Sequence, residues 1–104
     1  MEAPRVTVDA ETDGVCVVAC SGEFDQDTVG LLRDACERET TGAQLLVLDV
    51  RGVTFADSSF LNALIRLRHT RPLALAGPLP AQLHRLLNLT GAIALFEVRE
   101  AGAA

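Results

Sequence analysis

Residues 45–65 read LLVLDVRGVTFADSSFLNALI and contain the two elements around which the chain is organised. The run Leu45–Leu48 is apolar, does not alternate and is too short for a helix, which is typical of a strand covered on both faces. Asp57-Ser58-Ser59 then opens a second apolar segment with helical spacing. Asp and Ser are good N-caps because their side-chain oxygens accept bonds from the first free backbone amides. The sequence therefore predicts a buried strand that delivers a serine to the beginning of a helix.

The two serines at this helix start are a candidate phosphorylation site. The unpaired N–H groups and the positive end of the helix dipole at an N-terminus favour added negative charge. The residues alone leave a second interpretation open, in which Ser58 and Ser59 are helix caps and nothing more, because serine at a helix start is common.

Length and composition predict a single folded domain that spans residues 1–104. The hydrophobic fraction of 49% favours a packed core over disorder. The net charge is −5, lysine is absent and the nine arginines are dispersed, so we expect no direct nucleic-acid partner. No apolar run approaches about 18 residues and no signal peptide is recognisable, so we expect no membrane association and a cytoplasmic location.

Alternation, turn residues and helical spacing predict the order β-β-α-β-α-β-α-β, an α/β fold. Strands are predicted at 5–9, 15–20, 45–50, 73–76 and 93–98, with a turn at 11–14. Helices are predicted from a cap at Asp25 or Asp27 to about Thr40 (closed by Thr41-Gly42), from Ser58 or Ser59 to about His69, and from Pro80 to Thr90. Single helices between strands imply right-handed crossovers and a parallel core, with the opening hairpin as an antiparallel edge. The tail at 101–104 should fray.

No catalytic constellation can be assembled from these residues, so we expect no enzyme and no cofactor. The serines lack a Gly-x-Ser-x-Gly elbow, and His69 lies roughly 16 Å from Ser58 along the same helix. His84 belongs to a different segment, and no glycine-rich phosphate loop is present. Asp49 and Asp57 could pair as carboxylates, but a strand end and a helix cap explain them more simply.

The three cysteines are predicted to be buried, reduced thiols. Cys16, Cys20 and Cys36 fall inside apolar patterns, and free cysteine is commonly buried. A metal site would need a fourth ligand and a Cys-x-x-Cys pair or a histidine partner, and neither is present. We therefore expect no metal.

The stretch from Val47 to Leu64 resembles the signature of the STAS domain, and more narrowly that of the bacterial anti-sigma factor antagonists. The segment Gly22-Glu23-Phe24-Asp25 resembles the family's Gly-Glu-Leu-Asp turn. The resemblance covers about residues 6–98 and implies a mixed sheet, with a parallel core and an N-terminal antiparallel hairpin, surrounded by packed helices. One departure is Phe60, which stands where the family usually has glycine after the two serines.

The function implied by the resemblance is that of a binding module switched by phosphorylation. Its unphosphorylated form binds an anti-sigma factor that is also a serine kinase, and this frees a sigma factor. The kinase phosphorylates the first serine, here Ser58, and a phosphatase reverses the reaction. The implied partner-binding residues are Asp25, Asp57, Ser58, Ser59, Phe60 and Asn62. Two alternatives stay open, a STAS interaction subunit that is not phosphorylated and a sensor of a small ligand such as a nucleotide or lipid.

Phe60 itself has two interpretations. The preferred one places its side chain in the core, turned under the sheet edge, because large apolar residues are usually inside. In the other it is an exposed anchor for a particular partner. The remaining predicted core, between sheet and helices, comprises Leu46, Val47, Leu48, Leu64 and Leu75.

Overall fold

A computed structural model describes residues 2–9, 12–39 and 42–100. Within these ranges the strands are β1 (Arg5–Val8), β2 (Val15–Phe24), β3 (Leu45–Ala56), β4 (Leu73–Gly77) and β5 (Glu97–Glu100). The helices are α1 (Gly30–Glu39), α2 (Ser58–Thr70) and α3 (Ala81–Thr90), and a short 3-10 helix spans Ala92–Leu95. The predicted turn residue Glu11, the predicted helix end at Thr40 and Thr41, and the tail 101–104 lie outside the described residues.

The five strands form one sheet in the order β1-β2-β3-β4-β5. β1 pairs antiparallel with β2, and every other neighbouring pair is parallel. Right-handed crossovers between strands that are adjacent both in sequence and in the sheet place all three helices on the same face. The predicted α/β class, with an antiparallel hairpin at one edge of a parallel sheet, is confirmed.

A single apolar core fills the space between this face and the helices. Alternate residues of β2 and β3 join it because successive strand side chains point to opposite faces. Four of the five predicted core residues are 0% exposed within it, namely Leu46, Leu48, Leu64 and Leu75. Val47 is also buried but points to the opposite face, between its cross-strand neighbours Val17 and Ala74. The prediction that Val47 lies between sheet and helices is therefore wrong, and β3 has helices on one face only.

β2 and β3 both extend beyond their predicted ends, to Phe24 rather than Cys20 and to Ala56 rather than Val50. The two extensions pair with each other as far as Phe24 and Ala56, so tertiary pairing supports a segment whose own pattern is weak. The register shifts twice along this pairing, each time with an extra residue in β3. Such bulges interrupt the two-residue alternation from which a strand is recognised. Asp49 consequently lies within β3, and its predicted place at the strand end is wrong.

The last strand was predicted over 93–98, but residues Ala92–Leu95 form the 3-10 helix and the strand is Glu97–Glu100. Only Ala92 and Phe96 of this apolar run are buried, and Ala94 midway between them is exposed, which the alternation of a half-buried strand does not produce. The Arg68 side chain also donates a hydrogen bond from Nε to the Leu95 carbonyl oxygen at 2.6 Å, which ties α2 to this turn. The composition of Ala92–Leu95 resembles that of a buried strand because all four residues are apolar.

All three cysteines are buried thiols that form no disulfide, as predicted. Burial raises the pKa of the Cys20 thiol to about 12 and that of Cys36 to about 11. Both thiols therefore remain protonated and unreactive at neutral pH. Among the described residues, no group of three or more His, Cys, Asp or Glu side chains could hold a metal ion, and no helix is long and apolar enough to cross a membrane.

One ion pair, on the face of the sheet opposite the helices, makes the free energy of unfolding depend on pH. Arg51 donates to the Asp49 carboxylate through Nε at 3.1 Å and Nη2 at 2.9 Å, and this bonding lowers the pKa of Asp49. A carboxyl whose pKa is lower when folded stabilises the fold above its unfolded-state pKa of about 3.9. That contribution is lost as the pH falls through the folded-state value.

We expect Asp49→Asn to lower the free energy of unfolding at neutral pH and to have a smaller effect in acid. Urea melts at about pH 7 and about pH 2 measure the difference from the parent at each pH. Asp34→Asn, at an exposed site on α1, is the matched control. A deficit in Asp49→Asn of equal size at both pH values would contradict the pairing.

Candidate functional site

The start of α2 lies at the carboxyl end of the central strand β3. Asp57 is the single residue between them, and its extended backbone ends the strand. Its carboxylate accepts hydrogen bonds from the amides of Ser59 at 2.9 Å and Phe60 at 3.3 Å, which satisfies two of the free N–H groups of the helix start. The predicted cap is confirmed, and α2 begins at Ser58.

α3 also holds the end of β3 in place, through the side chain of Gln82. The Gln82 amide accepts a bond from the Ala56 N–H through Oε1 at 2.9 Å and donates to the Ala56 carbonyl oxygen through Nε2 at 2.7 Å. Ala56 pairs with Phe24 of β2 on one side, and this pair of bonds takes the place of a strand partner on the side of β4, whose pairing with β3 ends at Asp49. Ser58, two residues further on, is thus positioned by β3, α2 and α3 together.

The predicted surface residues at this helix start differ in their exposure. Ser58 and Asn62 are exposed, and Ser59 is partly buried beside them. A negative charge added to Ser58 would experience two opposing fields, the positive end of α2 and the carboxylate of Asp57. Because Ser58 is exposed, a charge added there would lie at the surface and not in the core.

Asp25 holds the loop before α1. Its Oδ1 accepts bonds from the amides of Asp27 at 2.9 Å and Thr28 at 3.1 Å, and from the Thr28 hydroxyl at 3.0 Å. The helix itself begins at Gly30, after this turn. Asp25 therefore caps a turn that leads into α1, and its carboxylate is already engaged within the chain.

Phe60 lies in the core, as the preferred interpretation predicted. Its side chain is 0% exposed, and its ring centroid is 5.2 Å from that of Phe24, with the rings tilted by 43°. The side chain is not available for direct contact with a partner. Any contribution of Phe60 to binding would come from holding the helix start, and the departure from glycine leaves no bulky group beside Ser58.

The structure adds Phe55 and Glu23 to the candidate site, and the sequence reasoning had missed both. Phe55 is 40% exposed and is the cross-strand partner of Glu23. The two residues line a shallow cavity together with Asp25 and Thr28. Oε2 of Glu23 is buried and has no hydrogen-bond partner among the described residues. Alternation continued from the core residues Leu46, Leu48 and Val50 also places Phe55 on the outward face, and the two bulges change only the residues between them, so that Val53 turns into the core.

Gly22 belongs to the segment that resembles the family's turn, but it lies within β2, and its surroundings require a glycine there. Its φ is +88°, a conformation that residues with a side chain rarely adopt. A Cβ placed there would lie 2.2 Å from the Ala3 carbonyl oxygen. The N-terminal segment therefore packs directly on this backbone, next to Glu23.

The cap gives a test of local stability. Asp57→Ala should lower the free energy of unfolding by about 0.5–2 kcal/mol, because the amides of Ser59 and Phe60 lose their acceptor. Urea melts measure this loss, and Asp27→Ala, at an exposed site whose carboxylate accepts none of the cap bonds, is the control. Equal melts for both variants would show that the cap bonds contribute nothing.

The fold and the site together define a mixed α/β domain that presents an exposed serine at the start of a central helix. A family model described as "Mlab, STAS domain" matches residues 7–97. The chain belongs to the STAS domain family. None of the curated proteins compared matches it in sequence.

Solved structures of anti-sigma factor antagonists share this fold. An anti-sigma factor antagonist from Mycobacterium paratuberculosis has 27% identity and a TM-score of 0.80, with 93% of this chain and 86% of that chain covered. The anti-sigma factor antagonist SpoIIAA in its unphosphorylated form has 17% identity and a TM-score of 0.73, covering 93% and 90%. The Bacillus cell fate determinant SpoIIAA in its phosphorylated form has 15% identity and a TM-score of 0.67, covering 93% of each chain.

Proposed function

We propose that this protein is an anti-sigma factor antagonist that acts by binding and not by catalysis. Its unphosphorylated form binds an anti-sigma factor that is also a serine kinase, and this releases a sigma factor. Phosphorylation of Ser58 ends the binding, and a phosphatase restores it. All of these steps take place in the cytoplasm.

The observation that carries the proposal is that Ser58, the first residue of α2, is exposed. A kinase active site needs an accessible hydroxyl on a stable backbone, and Asp57 and Gln82 hold the backbone on either side. Support also comes from the Mycobacterium paratuberculosis antagonist, whose fold matches over 93% of this chain. The similarity to SpoIIAA is one of fold alone, and solved structures show that protein in both its phosphorylated and its unphosphorylated form.

Charge gives the proposed switch its physical basis. A phosphate adds about −1.5 to −2 charges at neutral pH. At Ser58 it would lie one residue from the Asp57 carboxylate, on a chain whose net charge is already −5. A partner surface that fits a neutral hydroxyl would lose packing and acquire repulsion or a desolvation cost. The fold does not have to change for binding to be lost.

The partner surface that we propose centres on the start of α2, with Asp57, Ser58, Ser59 and Asn62. Asp25 supports it by holding the turn before α1 and Phe60 by packing beneath the helix. Phe55 adds an exposed apolar group on the same edge of the sheet, beside acidic Glu23. An aromatic side chain among carboxylates suits a basic and apolar contact on the partner.

Mapping of the modified residue tests the proposed acceptor. After incubation with the cognate kinase and ATP, we expect phosphate on Ser58, because Ser59 is partly buried. Peptide mass spectrometry of the parent, Ser58→Ala and Ser59→Ala proteins measures this. Ser59→Ala should be modified as fully as the parent, and Ser58→Ala should not be modified. Phosphate confined to Ser59 or Thr54 would overturn the assignment.

A further inference from the structure

A groove between α1 and α2 shares Ser59 and Asn62 with the proposed partner surface, and the rest of its lining has no part in the proposed function. Its volume is about 390 Å³, within the range of small-molecule sites. The floor is apolar and is formed by Val29, Cys36, Ala63 and Leu67. Ser59, Asn62 and Thr70 give it one polar wall on α2. It therefore combines an apolar base with a few polar groups, as ligand sites usually do.

The charge of this groove is opposite to that of the whole chain. Arg33, Arg66 and Arg71 line it, and Glu37 is the single acidic residue among its lining residues. The chain as a whole has nine basic and fourteen acidic residues, so a third of its arginines meet at one groove. Arginines on two different helices can bind one anionic group from both sides.

Two of these arginines are available for a ligand. Arg33 and Arg66 are exposed, and neither forms a salt bridge with any described residue. Arg71 is engaged within the chain, but its charge is felt at the floor, where it acts to lower the pKa of Cys36 against the larger effect of burial. Since that thiol stays protonated, the floor carries no negative charge to oppose an anion.

We propose that the groove between α1 and α2 binds an amphipathic anion, a small molecule with a phosphate or carboxylate on an apolar body. The apolar body lies on Ala63 and Leu67, and the anionic group lies between Arg33 and Arg66. Ser59 and Asn62 can donate further hydrogen bonds to the anion or its linker. The site is distinct from Ser58 but lies directly beside it, because Ser59 belongs to its wall.

Nuclear magnetic resonance titration of the isolated protein tests this without any partner. The probes are octyl phosphate and octanoate, and octylammonium has the same apolar body with the opposite charge. We expect either anion to shift the signals of Val29, Ala63 and Leu67 with saturable binding, and octylammonium to leave them in place. Comparison of the two anions shows which head group the site prefers.

The charge requirement is tested with the double variant Arg33→Gln and Arg66→Gln. The matched control is Arg38→Gln with Arg85→Gln, which removes the same charge from exposed positions outside the groove. The groove variant should bind the preferred anion about tenfold more weakly or worse, and the control should bind like the parent. Thermal melts of both show whether they fold. An absence of shifts at the groove, equal binding of octylammonium, or an unchanged affinity in a folded groove variant would each overturn the proposal.

Discussion

Ser58→Asp should bind the anti-sigma factor about ten- to a hundredfold more weakly than the parent, which corresponds to about 1–3 kcal/mol. The added carboxylate lies next to Asp57 and meets a partner surface shaped for a hydroxyl. Ser58→Ala removes the acceptor without adding charge, so it should bind like the parent and resist inactivation by ATP. Calorimetry or surface-based binding with the three proteins measures these affinities.

The control for this experiment separates local charge from net charge. Gln44→Glu adds one negative charge at an exposed position beside the start of β3, and Ser58 follows the other end of that strand. It should leave the affinity unchanged. Thermal melts of Ser58→Asp should match those of the parent closely, because the favourable helix dipole and the repulsion from Asp57 oppose each other. Equal affinities for folded Asp and Ala variants would mean that Ser58 is only a helix residue, and the unphosphorylated interaction subunit would become the better description.

Phe60→Ala should lower the free energy of unfolding by about 3–5 kcal/mol. The ring is fully buried against Phe24 at the point where β2, β3 and α2 meet, so its removal leaves a cavity that rigid strands cannot close. Urea melts measure the loss. Because native domains are stable by only about 5–15 kcal/mol, this variant approaches the limit of folding.

Phe55→Ala is the matched control, since it removes the same side chain from a position that is 40% exposed. Its melts should differ from those of the parent by less than about 1 kcal/mol. Its affinity for the anti-sigma factor should nevertheless fall, because Phe55 belongs to the proposed surface. A loss of less than about 1 kcal/mol for Phe60→Ala would show that the core tolerates the cavity and that Phe60 has another role.

Local chemistry made much of the site predictable. Interactions within a few residues determine that Asp57 caps α2 and that Ser58 is its first residue. They also determine the order of strands and helices. Capping preferences and helical spacing encode such interactions directly in the sequence. The buried position of Phe60 followed from hydrophobicity alone.

The remaining features depend on contacts between segments that are distant in the chain. The extension of β3 to Ala56 needs β2 as its partner, and the two bulges that turn Val53 into the core arise from the register between these strands. Residues Ala92–Leu95 form a helical turn because Ala92 packs into the core and Arg68 of α2 donates a hydrogen bond to Leu95, although their composition resembles that of a strand.

The sequence by itself determined the class of fold, the family resemblance and the serine at the helix start, because each is written in local patterns. Tertiary structure alone decided that Val47 faces away from the helices and that Phe55 lines one shallow cavity with Glu23 and Asp25. It also decided that Arg33 and Arg66, which are distant in sequence, line the same groove. Periodicity shows which side of an element is apolar, whereas the packing of elements decides what each side meets.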